Sequence, residues 1–174
     1  MLHLLDANVL ITANRLYYPL DRVPEFWDWL VHYGADGQVK MPLEMVEEIR
    51  EGTDDLAEWL SERDHLDALC LDEDADVTLV QRVIDEGYAP DLTDQEVEII
   101  GRDPFLVSYG LRARDDRCVV TTEVSKPRRR RANRHLPDVC DQMQVVWMDS
   151  FGLITALNFS TSWRASSARG GPER

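Results

Sequence analysis

The sequence predicts an α/β fold: a single Rossmann-like domain whose central parallel sheet is flanked by helices on both faces. Short apolar runs at Leu4-Leu5 and Cys118-Val119-Val120 read as buried strands, and Val145-Val146-Trp147-Met148 as a last strand. Stretches with helical spacing of apolar residues separate them. No hairpin signal such as Asn-Gly joins two strong strands, which favours parallel pairing through helical crossovers. The chain has 174 residues and no internal repeat, so one domain is expected over residues 1–159. Residues 160–174 have the composition of a disordered tail.

The first strand is expected in His3-Leu4-Leu5-Asp6-Ala7-Asn8-Val9-Leu10-Ile11, a buried run holding two polar residues. In an extended chain Asp6 and Asn8, two apart, leave the same face. A carboxylate there either meets a cation beyond the strand end or caps the next helix. Asn14 to Pro19 forms an aromatic loop or short helix, in which Tyr17 and Tyr18 belong either to an interface or to the core. Val23, Phe26, Trp27 and Leu30 mark a helix opened by Pro24 and broken by Gly34 to Gly37. Val39 to Pro42 is a short strand, and Met45, Val46 and Ile49 give the inner face of a helix over 43–51.

Asp54 opens a further helix with Leu56, Trp59, Leu60 and Leu66 on one stripe. Ala68 to Leu71 reads as an edge strand and Val77 to Asp85 as an amphipathic helix stopped by Gly87. Thr93-Asp94-Gln95-Glu96 is a capping box. Asp103-Pro104 starts another helix, with Pro where a missing N–H does no harm. Cys118 to Thr122 is a β-branched buried strand ended by Glu123. A short helix over 137–143, a last strand over 145–148 and a closing helix over 150–157 complete the reading.

Composition narrows the function. No apolar run reaches the ~20 residues of a membrane span and no signal-peptide pattern is present, so a soluble, cytoplasmic protein is expected. The three cysteines are far apart in apolar settings and read as buried free thiols. The four histidines are isolated, without metal-ligand spacing. The net charge of −14 argues against nucleic acid, but its distribution does not. Residues 44–76 hold fourteen acids against two arginines, whereas Lys126-Pro127-Arg128-Arg129-Arg130-Arg131-Ala132-Asn133-Arg134 holds six cations and no acid. A solvated face is the ordinary explanation of a charge run; phosphate binding is the leading functional one.

Carboxylates recur where a strand ends or a helix begins: Asp6, Glu48 (or its neighbour Glu47), Asp103 and Glu123. In a doubly wound sheet all of them can converge at the carboxyl edge. Gathered there they repel one another unless a divalent cation neutralises them. Helix N-termini attract acids regardless of function, which accounts equally for Asp103, and Glu48 sits among other surface acids. Asp6 and Glu123, each after a strongly buried strand, resist that explanation.

Leu4-Leu5-Asp6-Ala7-Asn8-Val9-Leu10-Ile11, Val46-Glu47-Glu48-Ile49, Asp103-Pro104-Phe105-Leu106-Val107 and Val119-Val120-Thr121-Thr122-Glu123 resemble, in order, the acidic motifs of PIN-domain nucleases. The chain is more closely similar to a bacterial PIN-like branch of unassigned function, of the DUF4411 type. Tyr17-Tyr18-Pro19, Phe26-Trp27-Asp28-Trp29-Leu30 and Leu136-Pro137-Asp138-Val139-Cys140 echo that branch, over roughly residues 3–157. The resemblance implies a PIN-like domain acting as a metal-dependent endoribonuclease, similar to the toxins of toxin–antitoxin pairs.

It further implies that Asp6, Glu48, Asp103 and Glu123 are catalytic and hold Mg²⁺ or Mn²⁺, while Asn8 or Thr121 orients the site. Glu48 is taken over Glu47 because Ile49 follows it. The fourth position departs from the family, where Asp is commoner than Glu. Beside it, Lys126, Arg128, Arg129, Arg130 and Arg131 are expected to hold RNA. The implied partners are an RNA substrate, a cognate antitoxin and a second copy in a homodimer. The alternative is a catalytically silent module that binds RNA or a partner protein. A phosphotransferase with Asp6 as nucleophile ranks behind both, because it wants Asp where Asn8 stands.

Overall fold

The computed structural model describes residues 1–164. Four parallel strands form one sheet in the order β2-β1-β3-β4: β1 (Leu2–Leu5), β2 (Val39–Lys40), β3 (Arg117–Thr121) and β4 (Val146–Asp149). The fold is therefore the α/β, Rossmann-like arrangement that the alternation of runs predicts. Leu4, Leu5, Val119 and Val120 are fully buried, with Leu4 opposite Val119 and Leu5 opposite Val120. Between β1 and β2 lie α1 (Ala7–Thr12), a π-helical segment (Ala13–Tyr17) and α2 (Pro24–Ala35).

Between β2 and β3 come α3 (Leu43–Arg50), α4 (Asp55–Ser61), α5 (Arg63–Leu69) and α6 (Val77–Arg82). They are followed by a second π-helical segment (Val83–Tyr88), α7 (Asp94–Ile100) and α8 (Asp103–Arg112). Then α9 (Leu136–Met143) joins β3 to β4, and α10 (Ser150–Ala156) follows β4. The chain steps from β1 outward to β2, then back across β1 to β3 and β4. α2 packs against β2, α8 against β1 and β3, and α9 against β3 and β4; the right-handed rule for parallel crossovers puts α2 on one face and α8 and α9 on the other. The direction reverses between β1 and β3, and in such sheets this switch point is where a crevice opens beyond the carboxyl ends.

Several elements differ from expectation. The buried run at the N-terminus is no single strand: β1 stops at Leu5, and Asp6 caps α1 by accepting the Asn8 N–H at 3.3 Å. The helix cap is thus the residue directly after the strand end. Asn8 lies exposed in the first turn of α1, not on Asp6's face of a strand. The helix from Asp54 bends at Glu62, whose backbone is extended, giving α4 and α5. The bend brings His65 back to stack on Trp59 at 4.4 Å and bond its carbonyl.

The edge strand over 68–71 reduces to one bridge between Met41 and Cys70, because α5 runs on through Leu69. α2 ends at Ala35, inside the 34–37 stretch expected to break it, but Gly34 itself is still helical. It lies buried within it, where an added Cβ would stand 2.8 Å from the Ala68 carbonyl oxygen. Gly34 is the contact point that lets α5 lie against α2. The helix from Val77 continues past Asp85 into the π-helical turn ending at Tyr88.

Tyr18 is partly buried against the core, stacked on Phe26 at 4.4 Å, whereas Tyr17 stays half exposed. Trp163 is buried and donates its indole N–H to the Glu25 carbonyl, so the packing against α2 reaches into the segment expected as tail. Residues 165–174 of that tail lie outside the described residues. Cys118 and Cys140 are buried thiols and Cys70 is half-buried, none of them in a disulfide. Among the described residues no helix is long and apolar enough to cross a membrane.

Candidate carboxylate site at the sheet switch point

Asp6 follows β1 directly, and Thr121 ends the neighbouring β3. The Asp6 backbone N–H continues the ladder by donating to the Val120 carbonyl at 2.9 Å. This register sets the Thr121 hydroxyl 2.7 Å from Asp6 Oδ2, to which it donates. Both side chains are shut from solvent, at 2% and 0% exposure. The same hydroxyl accepts the Glu123 N–H at 3.1 Å, which fixes the turn that carries Glu123 away from the strand. Thr121 is therefore the support that joins the first and last of the carboxylates.

Asp103 is the first residue of α8; the cap position before it is Arg102, so Asp103 is not the N-cap. Its Oδ2 accepts from the buried Tyr88 hydroxyl at 3.4 Å. Glu48 lies on α3, half-buried. Glu48, Asp103 and Glu123 line one cleft of about 440 Å³ together with Ile99, Ile100, Gly101 and Arg102. Glu47, on the same helix, is exposed and not among the lining residues.

The electrostatics tie Asp6 to this cleft. Burial pushes the Asp6 carboxyl up to about 6; the Thr121 and Asn8 donors oppose the rise, and the Glu48 and Glu123 charges add to it. Asp103 is raised well above its ordinary value, first by burial and then by the charges of Asp6, Glu123 and Glu48. Burial also raises Glu48, against the pull of Arg102. Groups drawn from α3, α8 and the ends of β1 and β3 thus share one field. Like charges in a buried crevice mark a functional-site candidate.

As they stand, Asp6, Asp103 and Glu123 are held by protein donors. Besides the bonds already given, Glu123 Oε2 accepts the Leu136 N–H at 2.7 Å and lies 3.5 Å from His135 Nδ1. Among the described residues no three His, Cys, Asp or Glu side chains form a group able to hold a metal ion in their present positions. The donor set, carboxylate oxygens throughout, matches a hard divalent cation in chemistry. To bind one, Asp6, Asp103 and Glu123 must exchange hydrogen bonds for metal bonds.

The basic run is divided. Lys126, Arg128, Arg129 and Arg130 have exposed side chains; Arg130 bonds back to the Pro127 and Arg129 carbonyls. Arg131 is spent elsewhere. Its guanidinium bonds Glu96 at 2.7 and 2.9 Å and Asp91 at 2.6 Å, pinning the loop to α7 and the turn before it. Arg131, expected with the others to hold RNA, is thus paired with protein acceptors, its side chain still 40% exposed. Arg134 likewise faces inward, to the Gly87 and Asp138 carbonyls.

Residues that sequence reasoning missed include Tyr88, Arg102 and Asp138. Asp138 is buried and anchors the basic loop, accepting from Ser125 Oγ at 2.6 Å and the Lys126 N–H at 2.8 Å. An acid inside the apolar run Leu136-Pro137-Asp138-Val139-Cys140 was the available signal for it.

Fold and site together define an α/β protein with a carboxylate cleft at the switch point of a four-stranded parallel sheet. The chain belongs to the DUF4411 family, a domain of unknown function, whose profile matches residues 3–161. No curated protein and no solved structure matches it.

Proposed function

We propose that this protein is a Mg²⁺- or Mn²⁺-dependent endoribonuclease of PIN-like type, acting in the cytoplasm as the toxin of a toxin–antitoxin pair. The observation that carries the reading is the shared field of Asp6, Glu48, Asp103 and Glu123 at the sheet switch point, with Asp6 raised to about 6. So costly an arrangement is explained by a cation that offsets the repulsion. When bound, such an ion supplies a nucleophilic water near neutral pH and neutralises charge on the phosphoryl oxygens.

Asp6, Glu48, Asp103 and Glu123 would hold it, and Thr121 keeps the Asp6 oxygen aimed and favours its ionised form. Tyr88 does the same for the direction of Asp103. Lys126, Arg128, Arg129 and Arg130 then attract the RNA backbone towards the cleft edge next to Glu123. The toxin role, the cognate antitoxin and a homodimer follow from the resemblance to PIN-like toxins. The second reading, a non-catalytic module binding RNA or a partner protein, draws on the hydrogen-bonded state of the carboxylates.

Incubating a mixed RNA pool with the purified protein in Mg²⁺, Mn²⁺ or EDTA, beside Asp6→Asn, separates the readings. The nuclease gives cleavage that EDTA and the substitution both abolish. No cleavage, together with no Mn²⁺ uptake by calorimetry, selects the binding module.

A further inference from the structure

A second cleft, of about 550 Å³, opens on the other side of Glu123 and is lined by Tyr17, Phe151, Trp147, Thr122 and Asp149 among others. Tyr17 and Phe151 are 48% and 52% exposed, yet their rings meet edge to face at 5.4 Å. The Trp147 indole N–H donates to Asp141 at 2.8 Å, which fixes its ring in place. Large aromatics left in water around a concave surface are a recognition feature rather than packing. Glu123 lines both clefts, so the groove adjoins the carboxylate site. Ser125 also lines the groove, directly before the exposed cations of the loop that Asp138 anchors.

We propose that this groove is a base-stacking subsite for single-stranded RNA, and the proposal rests on the nuclease reading above. Charge complementarity selects that occupant. The groove carries carboxylates (Glu123, Asp149) and no cation among its lining residues, so it repels phosphate and suits an uncharged ring. The cations that suit phosphate stand next door, at Lys126, Arg128 and Arg129. A nucleotide strand supplies both parts: its base lies on the Tyr17 and Phe151 rings while its phosphates follow the basic loop and enter the carboxylate cleft. In a duplex the base faces are covered by their neighbours, so only unpaired RNA offers one.

The test uses the full chain carrying Asp6→Asn, to suppress cleavage, and fluorescence anisotropy in Mg²⁺. The probes are a labelled single-stranded oligoribonucleotide, the same strand with abasic positions, and its duplex. Tyr17→Ala and Phe151→Ala are expected to weaken single-strand binding about 5-fold or more. Tyr17→Phe keeps it, and the abasic strand is insensitive to all three. Half-exposed rings can be removed without unfolding the chain, which far-UV circular dichroism verifies. RNA binding that ignores both alanine variants overturns the subsite and leaves the nuclease standing. No RNA binding by any form overturns the nuclease reading as well. A dimer that Phe151→Ala converts to monomer makes the groove a protein interface and overturns the subsite.

Discussion

The Thr121 hydroxyl donates to Asp6 Oδ2 at 2.7 Å, joining residues 115 positions apart through a fully buried hydrogen bond. It ties together the two central strands at the place where the chain reverses direction. Because a hydroxyl donor favours the ionised carboxylate, Thr121 holds Asp6 below the value that burial alone would impose.

Replacing Thr121 by Val keeps the volume and removes the donor. The Asp6 carboxyl is then expected to titrate above its present value of about 6. Leaving a buried acceptor short of a partner also costs about 1–3 kcal/mol of stability. Carboxyl-carbon NMR titration and urea unfolding of Thr121→Val measure the two effects. An unmoved Asp6 titration would show that the bond does not set its acidity.

Stability should fall as pH rises through the Asp6 titration. The carboxyl moves from 3.8 to about 6 on folding, so between those values the folded state holds a proton that the unfolded chain has lost. The stabilisation is complete below pH 4, declines from about pH 4 to 6 and is gone above, a span of up to about 3 kcal/mol. Asp103, shifted the same way, steepens the trend. Asp6→Asn, which keeps a good helix cap, removes the Asp6 part and makes the protein more stable at pH 7. Urea unfolding in EDTA from pH 4 to 8 checks this, and stability that climbs over pH 4 to 6 contradicts it.

The exposed cations of the basic loop should set the salt dependence of RNA binding, and Arg131 should not. Each phosphate that the protein no longer neutralises reduces the slope of log affinity against log salt by about 0.7 for a single strand. Arg128→Ala with Arg129→Ala is expected to lower the slope by roughly twice that amount. Arg131→Ala instead frees Glu96, whose carboxyl its guanidinium now holds down at about 2. Its signature is a Glu96 shift towards the ordinary range with little change in salt slope.

Gly34→Ala should destabilise the fold without touching the site. The added methyl would press the Ala68 carbonyl at 2.8 Å and Leu69 at the same distance, forcing α2 and α5 apart. Overpacking of this kind costs about 1–3 kcal/mol. A lowered unfolding midpoint with unchanged RNA cleavage well below it is the expected result.

The strands, the burial of β1 and β3 and most helices were legible because continuous apolar runs and 3.6-residue spacing survive in one dimension, whereas β4, at the sheet edge, is an apolar run left partly exposed. Asp6 and Glu123 stood out for the same reason: each breaks or ends an apolar run. Glu48 and Asp103 were legible mainly through resemblance, since acids on helices are common without function. What stayed hidden depends on long-range pairing. Nothing local distinguishes Arg131 from Arg130, because its acids lie 35 and 40 residues away. Tyr88 reads as core until Asp103 is placed beside it. The bend at Glu62 is likewise invisible, since apolar spacing continues through it.

The strand order also governs when the cleft comes into being. Asp6 is made early, yet the Thr121 that aligns it follows only after 115 further residues. At roughly 5–20 residues per second that interval is about 6–23 s of translation. Throughout it the nascent chain carries Asp6, then Glu48, then Asp103, without the strand that aligns them, and a product truncated before Thr121 never gains it. For that interval of synthesis Asp6 lacks the hydroxyl that orients it.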